Sequence, residues 1–223
     1  MGPTVNERLI GTAALVAAVG TGIVGGVLFA FSTFVMRALD DLDPPEAIRT
    51  MQAINVRAVN PIFMGLFFGT GLLTVVVAGV SVMRSEQDPD WRLATAALLY
   101  IVTIAITAAY HVPHNDTLAR VNSTDANSAQ IWHTYSSGWT NWNHLRMLTA
   151  IASSALLVAS STRISVARSG EARANESAAC SVGDHRRAGA PCASGSARSV
   201  CPLPSIAGPQ TAVLNWGTDD SLC

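Results

Sequence analysis

The sequence predicts an all-α fold, a transmembrane four-helix bundle followed by a disordered C-terminal tail. Of its 223 residues, 49% are hydrophobic and only 13% are charged, and the mean hydropathy is +0.33. A soluble domain of this length usually carries more charge. Four apolar segments precede a polar region, so we place a four-span membrane domain at residues 1–162 and the tail at residues 163–223.

The first apolar segment carries no charge from Leu9 to Met36. As a helix, these residues would extend about 42 Å, more than the roughly 30 Å of a bilayer's hydrocarbon core. The segment is also too long for the core of a signal peptide, so we predict a retained first span at about residues 9–36. After it, Pro44 begins a segment with helical spacing of apolar residues, which predicts a short interfacial helix.

The second and third spans have clear boundaries in the sequence. Asn60 can cap a helix and Pro61 suits its first position, which predicts a second span at about residues 61–83. Pro113 disfavours helical geometry at the residue before it, so the third span is predicted at about residues 91–112.

The fourth span is shorter and has an aromatic approach. Its uncharged core ends at Thr162, and we predict a span at about residues 143–162, with Arg146 extending toward the interface. Just before it, aromatic residues recur at offsets of 3, 4 and 3, which predicts one face of a helix that Gly138 could interrupt. These residues are Trp132, Tyr135, Trp139 and Trp142.

The region after Thr162 is rich in Ser, Ala, Gly and Arg and has no apolar period, which predicts disorder. All four cysteines lie in it, and they form no CxxC pair, so a zinc or redox motif is not indicated. We expect free thiols there. Glycine pairs spaced by four, at Gly22 and Gly26 and at Gly65 and Gly69, predict close helix approach in the bundle.

Two polar clusters lie where span three ends and span four begins. The first contains His111, His114, Asn115 and Asp116, and the second contains Trp139, Asn141, Trp142, Asn143, His144 and Arg146. If the two helices are neighbours, imidazole, amide and guanidinium groups converge, providing a base, orienting groups and a cation for a developing oxyanion. The alternative is that these residues only anchor helices at the interface, where Trp, His and Arg are common.

A metal site is a weaker alternative. His111, His114, His144 and Asp116 are suitable ligand types, but their spacing matches no diagnostic metal motif and Pro113 disturbs the helix between them. We therefore predict no metal site.

Four sequence segments resemble the anthrone oxygenase-like family of small four-span membrane proteins. They are Gly25–Ser32, Met51–Asn55 with Asn60–Phe63, Val112–Asp116, and Trp139–Arg146, of which the last is the most specific. Where that family's turn is expected to read Pro-x-Asn-Asn, this chain has Asp116 in place of the second amide. The resemblance covers about residues 9–162.

The resemblance implies an oxygenase that uses dioxygen as co-substrate and needs no cofactor. His144 would be the base that removes a ring-methylene proton from a flat phenolic or anthrone-type substrate. Arg146 would stabilise the resulting oxyanion, and Asn143 and Asn115 would orient the substrate. Trp139 and Trp142 would stack on its ring, and His111 and His114 complete the predicted substrate-binding set.

Other function classes remain open or are disfavoured. A non-catalytic bundle that binds a lipophile or a partner protein is the main alternative, and a transporter is less favoured because the spans contain no acidic residue. The formal net charge of -1 argues against nucleic-acid binding. Arginines near the span ends favour a multi-pass protein of the cell membrane with cytoplasmic termini. Its partners would then be the lipid bilayer and a small aromatic substrate.

Overall fold

The computed structural model describes the backbone of residues 5–84 and 90–187 and the side chains of residues 8–84 and 90–163. The chain divides into two units, Met1–Ala172 and Arg173–Cys223, and the fold below is that of the first. All secondary structure in the described ranges is helical. The elements are α1 Val5–Ala30, π1 Phe31–Val35, α2 Met36–Asp40, α3 Pro44–Ala58, α4 Pro61–Arg84, α5 Trp91–Ile106, π2 Thr107–His111, α6 Val112–Ala119 and α7 Ser128–Arg187.

Four helical segments are long and apolar enough to cross a membrane, which confirms the predicted multi-pass membrane protein. They are Arg8–Asp40, Pro61–Arg84, Trp91–Ala119 and Ser128–Arg163. The second span matches its predicted start closely. Asn60 Oδ1 accepts a 2.9 Å hydrogen bond from the backbone N–H of Phe63, so Asn60 caps α4 as expected.

The third span continues beyond the predicted stop at Pro113. The helix widens into the π-helical turn π2 immediately before the proline and then continues as α6 to Ala119. A π turn changes which carbonyls and N–H groups face each other, and this relieves the clash that proline causes in a regular α-helix. His114 Nδ1 lies 2.7 Å from the carbonyl oxygen of Tyr110, one turn earlier.

The fourth span begins earlier than predicted. α7 starts at Ser128, so the aromatic residues that precede the predicted span belong to the same helix as the span. Gly138 does not interrupt this helix. The same helix extends to Arg187, beyond the predicted start of the tail at residue 163. No proline occurs between Arg163 and Arg187, which permits the helix to continue. The rest of the predicted disordered tail, residues 188–223, lies outside the described residues.

Side-chain hydrogen bonds join neighbouring spans into a bundle. Tyr100 donates to the carbonyl oxygen of Phe67 at 3.1 Å, which links α5 to α4. Ser153 donates to the carbonyl oxygen of Ala96 at 2.8 Å, linking α7 to α5, and Ser154 donates to that of Ala18 at 2.8 Å, linking α7 to α1. α1 also packs on α4. This arrangement makes α5 and α7 neighbours, as the convergence of the two polar clusters requires.

The predicted interfacial helix is present as α3, Pro44–Ala58. Its apolar face packs on the start of α7 and on α6, in a core cluster that includes Ile48, Met51 and Leu118. Gln52 Nε2 donates to the carbonyl oxygens of Leu118 and Val121, at 2.8 and 3.1 Å. α3 therefore closes one end of the bundle.

The predicted glycine contacts are only partly present. A Cβ at Gly22 would lie 3.2 Å from the hydroxyl of Ser154, but a Cβ at Gly26, Gly65 or Gly69 would have nothing within 4 Å. The closest collisions of a Cβ would be at two other glycines, with the side chain of Thr70 on α4 at Gly20 and with the hydroxyl of Tyr110 at Gly138. The sequence spacing was therefore a poor guide because small residues also face away from the bundle.

Candidate functional site

A cavity of about 210 Å³ lies inside the bundle, beneath α3. Most of its wall is apolar and aromatic. Apolar lining residues include Phe31, Met51, Ile54, Phe63 and Phe67, and the polar lining residues are Asn55, Thr107, His111, Asn115 and Arg146. A mainly apolar cavity with a few convergent polar groups is the usual form of a small-molecule site.

Both π-helical turns contribute to this cavity. π1 brings Phe31 to its wall from the first span, and π2 brings Thr107 and His111 from the third. A π turn inserts an extra residue into an α-helix and re-aims the side chains beside it, and such turns occur frequently at functional sites. Two of them at one cavity therefore support its assignment as the functional site.

Arg146 carries a buried positive charge at the cavity wall. Its side chain is 7% exposed. Nη2 donates to Asn143 Oδ1 at 2.6 Å, and Nη1 donates to Thr107 Oγ1 at 3.2 Å. The guanidinium also lies 5.6 Å from the ring centroid of Trp139. These partners are neutral, so the charge is left available to an anionic group in the cavity.

Asn143 holds this arginine in place. It is 0% exposed, and Nδ2 donates to the carbonyl oxygen of Leu28 at 2.9 Å and to Ser32 Oγ at 2.8 Å. With its oxygen committed to Arg146, the amide connects the end of α1 and π1 to the guanidinium. Asn143 does not line the cavity and is therefore a positioning residue.

His111 is the buried imidazole of the site. It is 2% exposed and packs edge-on against Trp139, with 5.0 Å between ring centroids. Neither Nδ1 nor Nε2 forms a well-aligned hydrogen bond with a described residue, although backbone groups of Ile106 and Trp139 lie near the ring. A buried polar atom without a partner costs about 1–3 kcal/mol, so its presence beside a cavity calls for a functional explanation.

Asn115 fixes the aromatic wall. Its Oδ1 accepts a 2.8 Å hydrogen bond from the hydroxyl of Tyr135 and a 3.1 Å bond from Trp139 Nε1. Asn55 on α3 donates to the Tyr135 hydroxyl at 3.4 Å. Phe31 lies on another side of Trp139, with 5.5 Å between ring centroids. The indole is thus held by a hydrogen bond to Asn115 and a ring contact with Phe31.

Comparison with known protein families agrees with this location. Residues 63–156 match the family described as anthrone oxygenase. Over that segment the chain is similar to the anthrone oxygenase family. No curated protein and no solved structure matches the chain. The matched segment holds Thr107, His111, Asn115, Trp139 and Arg146, whereas Asn55 and Ser32 lie before it.

The anthrone oxygenase-like segment brings together four of the eight predicted site residues at the cavity. These four are His111, Asn115, Trp139 and Arg146. Asn143 lies directly behind them. The remaining three, His114, Trp142 and His144, lie elsewhere.

His144 is exposed on another face of α7. It lines a separate polar groove of about 550 Å³, together with Arg37, His133 and Asn141. The physical reason is helical geometry, because adjacent residues on an α-helix differ by about 100° in direction. Asn143 faces the bundle interior, so its neighbour His144 turns away from the cavity.

His114 and Trp142 both stack on the ring of Tyr110. The ring centroid of Tyr110 is 3.8 Å from that of His114 and 5.2 Å from that of Trp142. Trp142 is 43% exposed, and His114 lines an outer groove beside α7. This stack holds α6 against α7 outside the cavity.

Sequence reasoning missed some residues of the anthrone oxygenase-like site. Thr107 was not singled out, although its spacing of four before His111 places both near one helix face. Tyr135 was recognised only as part of an aromatic face, Ser32 only within a segment of resemblance, and Asn55 only there and in the spacing of the interfacial helix. Among the described residues, no group of three or more His, Cys, Asp or Glu side chains is arranged to hold a metal ion.

Proposed function

We propose that this anthrone oxygenase-like membrane protein is an oxygenase that acts on a small flat phenolic or anthrone-type substrate with dioxygen as co-substrate and without a further cofactor. One observation carries the proposal: His111 and Arg146 line the same cavity. The imidazole of His111 has no well-aligned hydrogen bond to a described residue, and the described hydrogen-bond partners of the Arg146 guanidinium are neutral. A base and an oxyanion-stabilising cation are the two groups that such a reaction needs.

His111 takes the role of the base in this proposal. Its ring lines the cavity, whereas His144 is exposed in the separate groove. Neither ring nitrogen forms a well-aligned hydrogen bond with a described residue, although backbone groups of Ile106 and Trp139 lie near the ring, and in this proposal one of the two nitrogens accepts the substrate proton. The sequence predicted His144 as the base. Comparing turnover in His111→Gln and His144→Gln tests this alternative.

Arg146 stabilises the anion that forms. Removal of a methylene proton from an anthrone leaves a carbanion that is delocalised onto the ring oxygen, and a fixed guanidinium lowers the energy of that oxyanion. The carbanion then adds to dioxygen, which is the oxidant. One oxygen atom becomes the new ring carbonyl, and the other leaves as water with the two methylene hydrogens.

The aromatic wall selects a flat ring. Trp139 and Phe31 offer faces for stacking, and Asn115 holds the indole in place. The cavity of about 210 Å³ is smaller than the roughly 300–1,000 Å³ typical of sites for drug-sized ligands. It therefore favours a compact ring system.

The proposed location is the cell membrane, with both termini in the cytoplasm. An excess of arginine near the span ends on the terminal side supports this orientation. The site then lies toward the extracytoplasmic face, where α3 covers it. A substrate dissolved in the lipid bilayer would reach it without crossing the cytoplasm.

The test is oxygen uptake by the purified full chain in detergent micelles, with a panel of anthrones and hydroquinones and with metal analysis of the same sample. His111→Gln is expected to lower the turnover number by about 100-fold or more. The matched control is His144→Gln, which we expect to retain turnover within about twofold of wild type. If turnover is lost in His144→Gln and retained in His111→Gln, His144 and not His111 is the base.

A second candidate is a non-catalytic protein that binds a lipophile. The mainly apolar wall of the cavity favours this function independently of His111 and Arg146. It predicts saturable binding of anthrones or hydroquinones with no oxygen uptake in folded protein. That outcome would replace the oxygenase proposal.

A further inference from the structure

A second hollow continues the cavity toward the protein surface. Its volume is about 470 Å³, and it shares five lining residues with the cavity, namely Val27, Phe31, Ile54, Ala58 and Phe63. Its other lining residues are Thr50, Ala53, Arg57 and Asn60. We call this hollow the vestibule. Because the two share a wall formed by α1, α3 and the start of α4, they adjoin each other.

The vestibule lies at the depth of the hydrocarbon core along the first span. The middle of the span Arg8–Asp40 is residue 24. Val27 is about 4.5 Å and Phe31 about 10.5 Å from that point along the helix axis, whereas half a hydrocarbon core is roughly 15 Å. The wall formed by these two residues therefore lies within the depth of the hydrocarbon core.

Charged and amide side chains lie at the outer rim and at the inner end of this space, and the vestibule wall also includes the hydroxyl of Thr50. Arg57 and Asn60 flank the connection from α3 to α4, immediately before the second span begins, which is the depth of the membrane interface. The inner end holds His111, Arg146 and Asn115. Between them the wall is mainly apolar, so a matching ligand is polar at its inner end and apolar along the rest.

The volumes indicate which part of such a ligand lies in the cavity and which part lies in the vestibule. The cavity of about 210 Å³ is too small for most drug-sized ligands, while the cavity and the vestibule of about 470 Å³ together fall within the usual range of roughly 300–1,000 Å³. We propose that the cavity takes a phenolic or quinone ring whose hydrocarbon tail lies in the vestibule and continues into the bilayer, and that the ligand enters laterally from the membrane. This proposal rests on the function proposed above only for the role of the cavity as the ligand site.

The test measures binding and does not depend on turnover. The full chain is reconstituted in phosphatidylcholine vesicles, and quenching of Trp139 fluorescence is taken as the difference between each protein and the same protein carrying Trp139→Phe. The tailed probe is 2,3,5-trimethyl-6-decyl-1,4-benzoquinone, and the tail-free probe is tetramethyl-1,4-benzoquinone. Ala53→Phe narrows the vestibule without touching the cavity. Val56→Phe is the control, because Val56 is exposed on the same helix and lines neither space.

We expect Ala53→Phe to weaken binding of the tailed probe and not of the tail-free probe. Ala53→Phe should raise the concentration of tailed probe needed for half-maximal quenching by about tenfold, while the tail-free probe still quenches Trp139, which shows that the cavity is intact. Val56→Phe should behave as wild type with both probes. Equal quenching by the tailed probe in wild type and Ala53→Phe, or no quenching of Trp139 by that probe in wild type, would overturn the proposal. Because oxygen uptake is not the readout, failure of the oxygenase activity alone leaves this result interpretable.

Discussion

Arg146 Nη2 donates a 2.6 Å hydrogen bond to the side-chain oxygen of Asn143, three residues earlier on α7. The same amide donates through Nδ2 to the carbonyl oxygen of Leu28 and to Ser32 Oγ. One asparagine therefore links the first span to the cationic group of the site. The orientation of the guanidinium depends on packing between α1 and α7, which makes Asn143 the first position to test.

Asn143→Ala should destabilise the protein. It removes three buried hydrogen bonds and leaves a carbonyl, a hydroxyl and a guanidinium N–H to find new partners. We expect the free energy of unfolding to fall by about 1–3 kcal/mol, measured by thermal unfolding in detergent. Asn141→Ala is the matched control, since Asn141 is exposed on the same helix. Equal unfolding of the two variants would contradict the positioning role.

His111→Phe should separate stability from function. Phenylalanine keeps the edge-on contact with Trp139 but removes two buried nitrogen atoms that lack described partners. The variant should unfold at the same temperature as wild type or higher, because burying unpartnered nitrogen atoms costs free energy. Substrate-dependent oxygen uptake should be lost. Destabilisation of about 2–5 kcal/mol, as for a core truncation, would instead assign His111 a structural role.

Arg146 should lower the pKa of a phenol bound in the cavity. A guanidinium within a few ångströms favours the ionised form of an acid and shifts its pKa down by roughly 1 to 3. The probe is 1-hydroxyanthraquinone, whose ionisation is followed by visible absorption in protein-containing and protein-free micelles. Above the lowered pKa the bound phenolate predominates, and as the pH falls through that value the stabilisation by Arg146 is lost.

Substitutions of Arg146 test whether this residue causes the pKa shift of the bound probe. Arg146→Gln should return the pKa of the bound probe to its value in protein-free micelles, while Arg146→Lys should retain part of the shift. Arg37→Gln serves as the control for loss of a positive charge, because Arg37 lies in the separate groove. A shift that survives in Arg146→Gln would exclude Arg146 as the oxyanion partner.

Gly20→Ala should weaken the contact between the first and second spans. A Cβ there would collide with the side chain of Thr70, and overpacking of this kind costs about 1–3 kcal/mol. Gly26→Ala is the matched substitution on the same helix, where a Cβ would meet nothing within 4 Å. It should leave stability unchanged or raise it by up to about 1 kcal/mol. Detergent-induced unfolding of both variants in parallel checks the difference.

The proposed orientation predicts which connection is accessible outside the cell. In a variant without the native cysteines, a cysteine introduced at Thr124 should react with a membrane-impermeant maleimide added to intact cells. A cysteine at Gln87 should react only after the membrane is permeabilised. The reverse pattern would place the termini outside the cytoplasm.

The sequence by itself determined the class of protein and most span positions. Long uncharged runs cannot be hydrated without cost, and a buried backbone must satisfy its own hydrogen bonds, so four such runs imply four membrane-spanning helices. Local chemistry also located the start of α3 at Pro44 and the cap at Asn60. These features depend on residues close in sequence, which is why they could be predicted.

The sequence also predicted correctly which end of the bundle holds the cavity. Four of the predicted site residues line it, namely His111, Asn115, Trp139 and Arg146. It did not distinguish His111 from His144 as the residue facing it. Only the tertiary structure decided that choice, because π2 determines the direction of His111 and α7 turns His144 away. It also decided that Ser32, distant in sequence, meets Asn143. Both outcomes depend on helix rotation and packing between spans, which residue spacing within one span cannot specify.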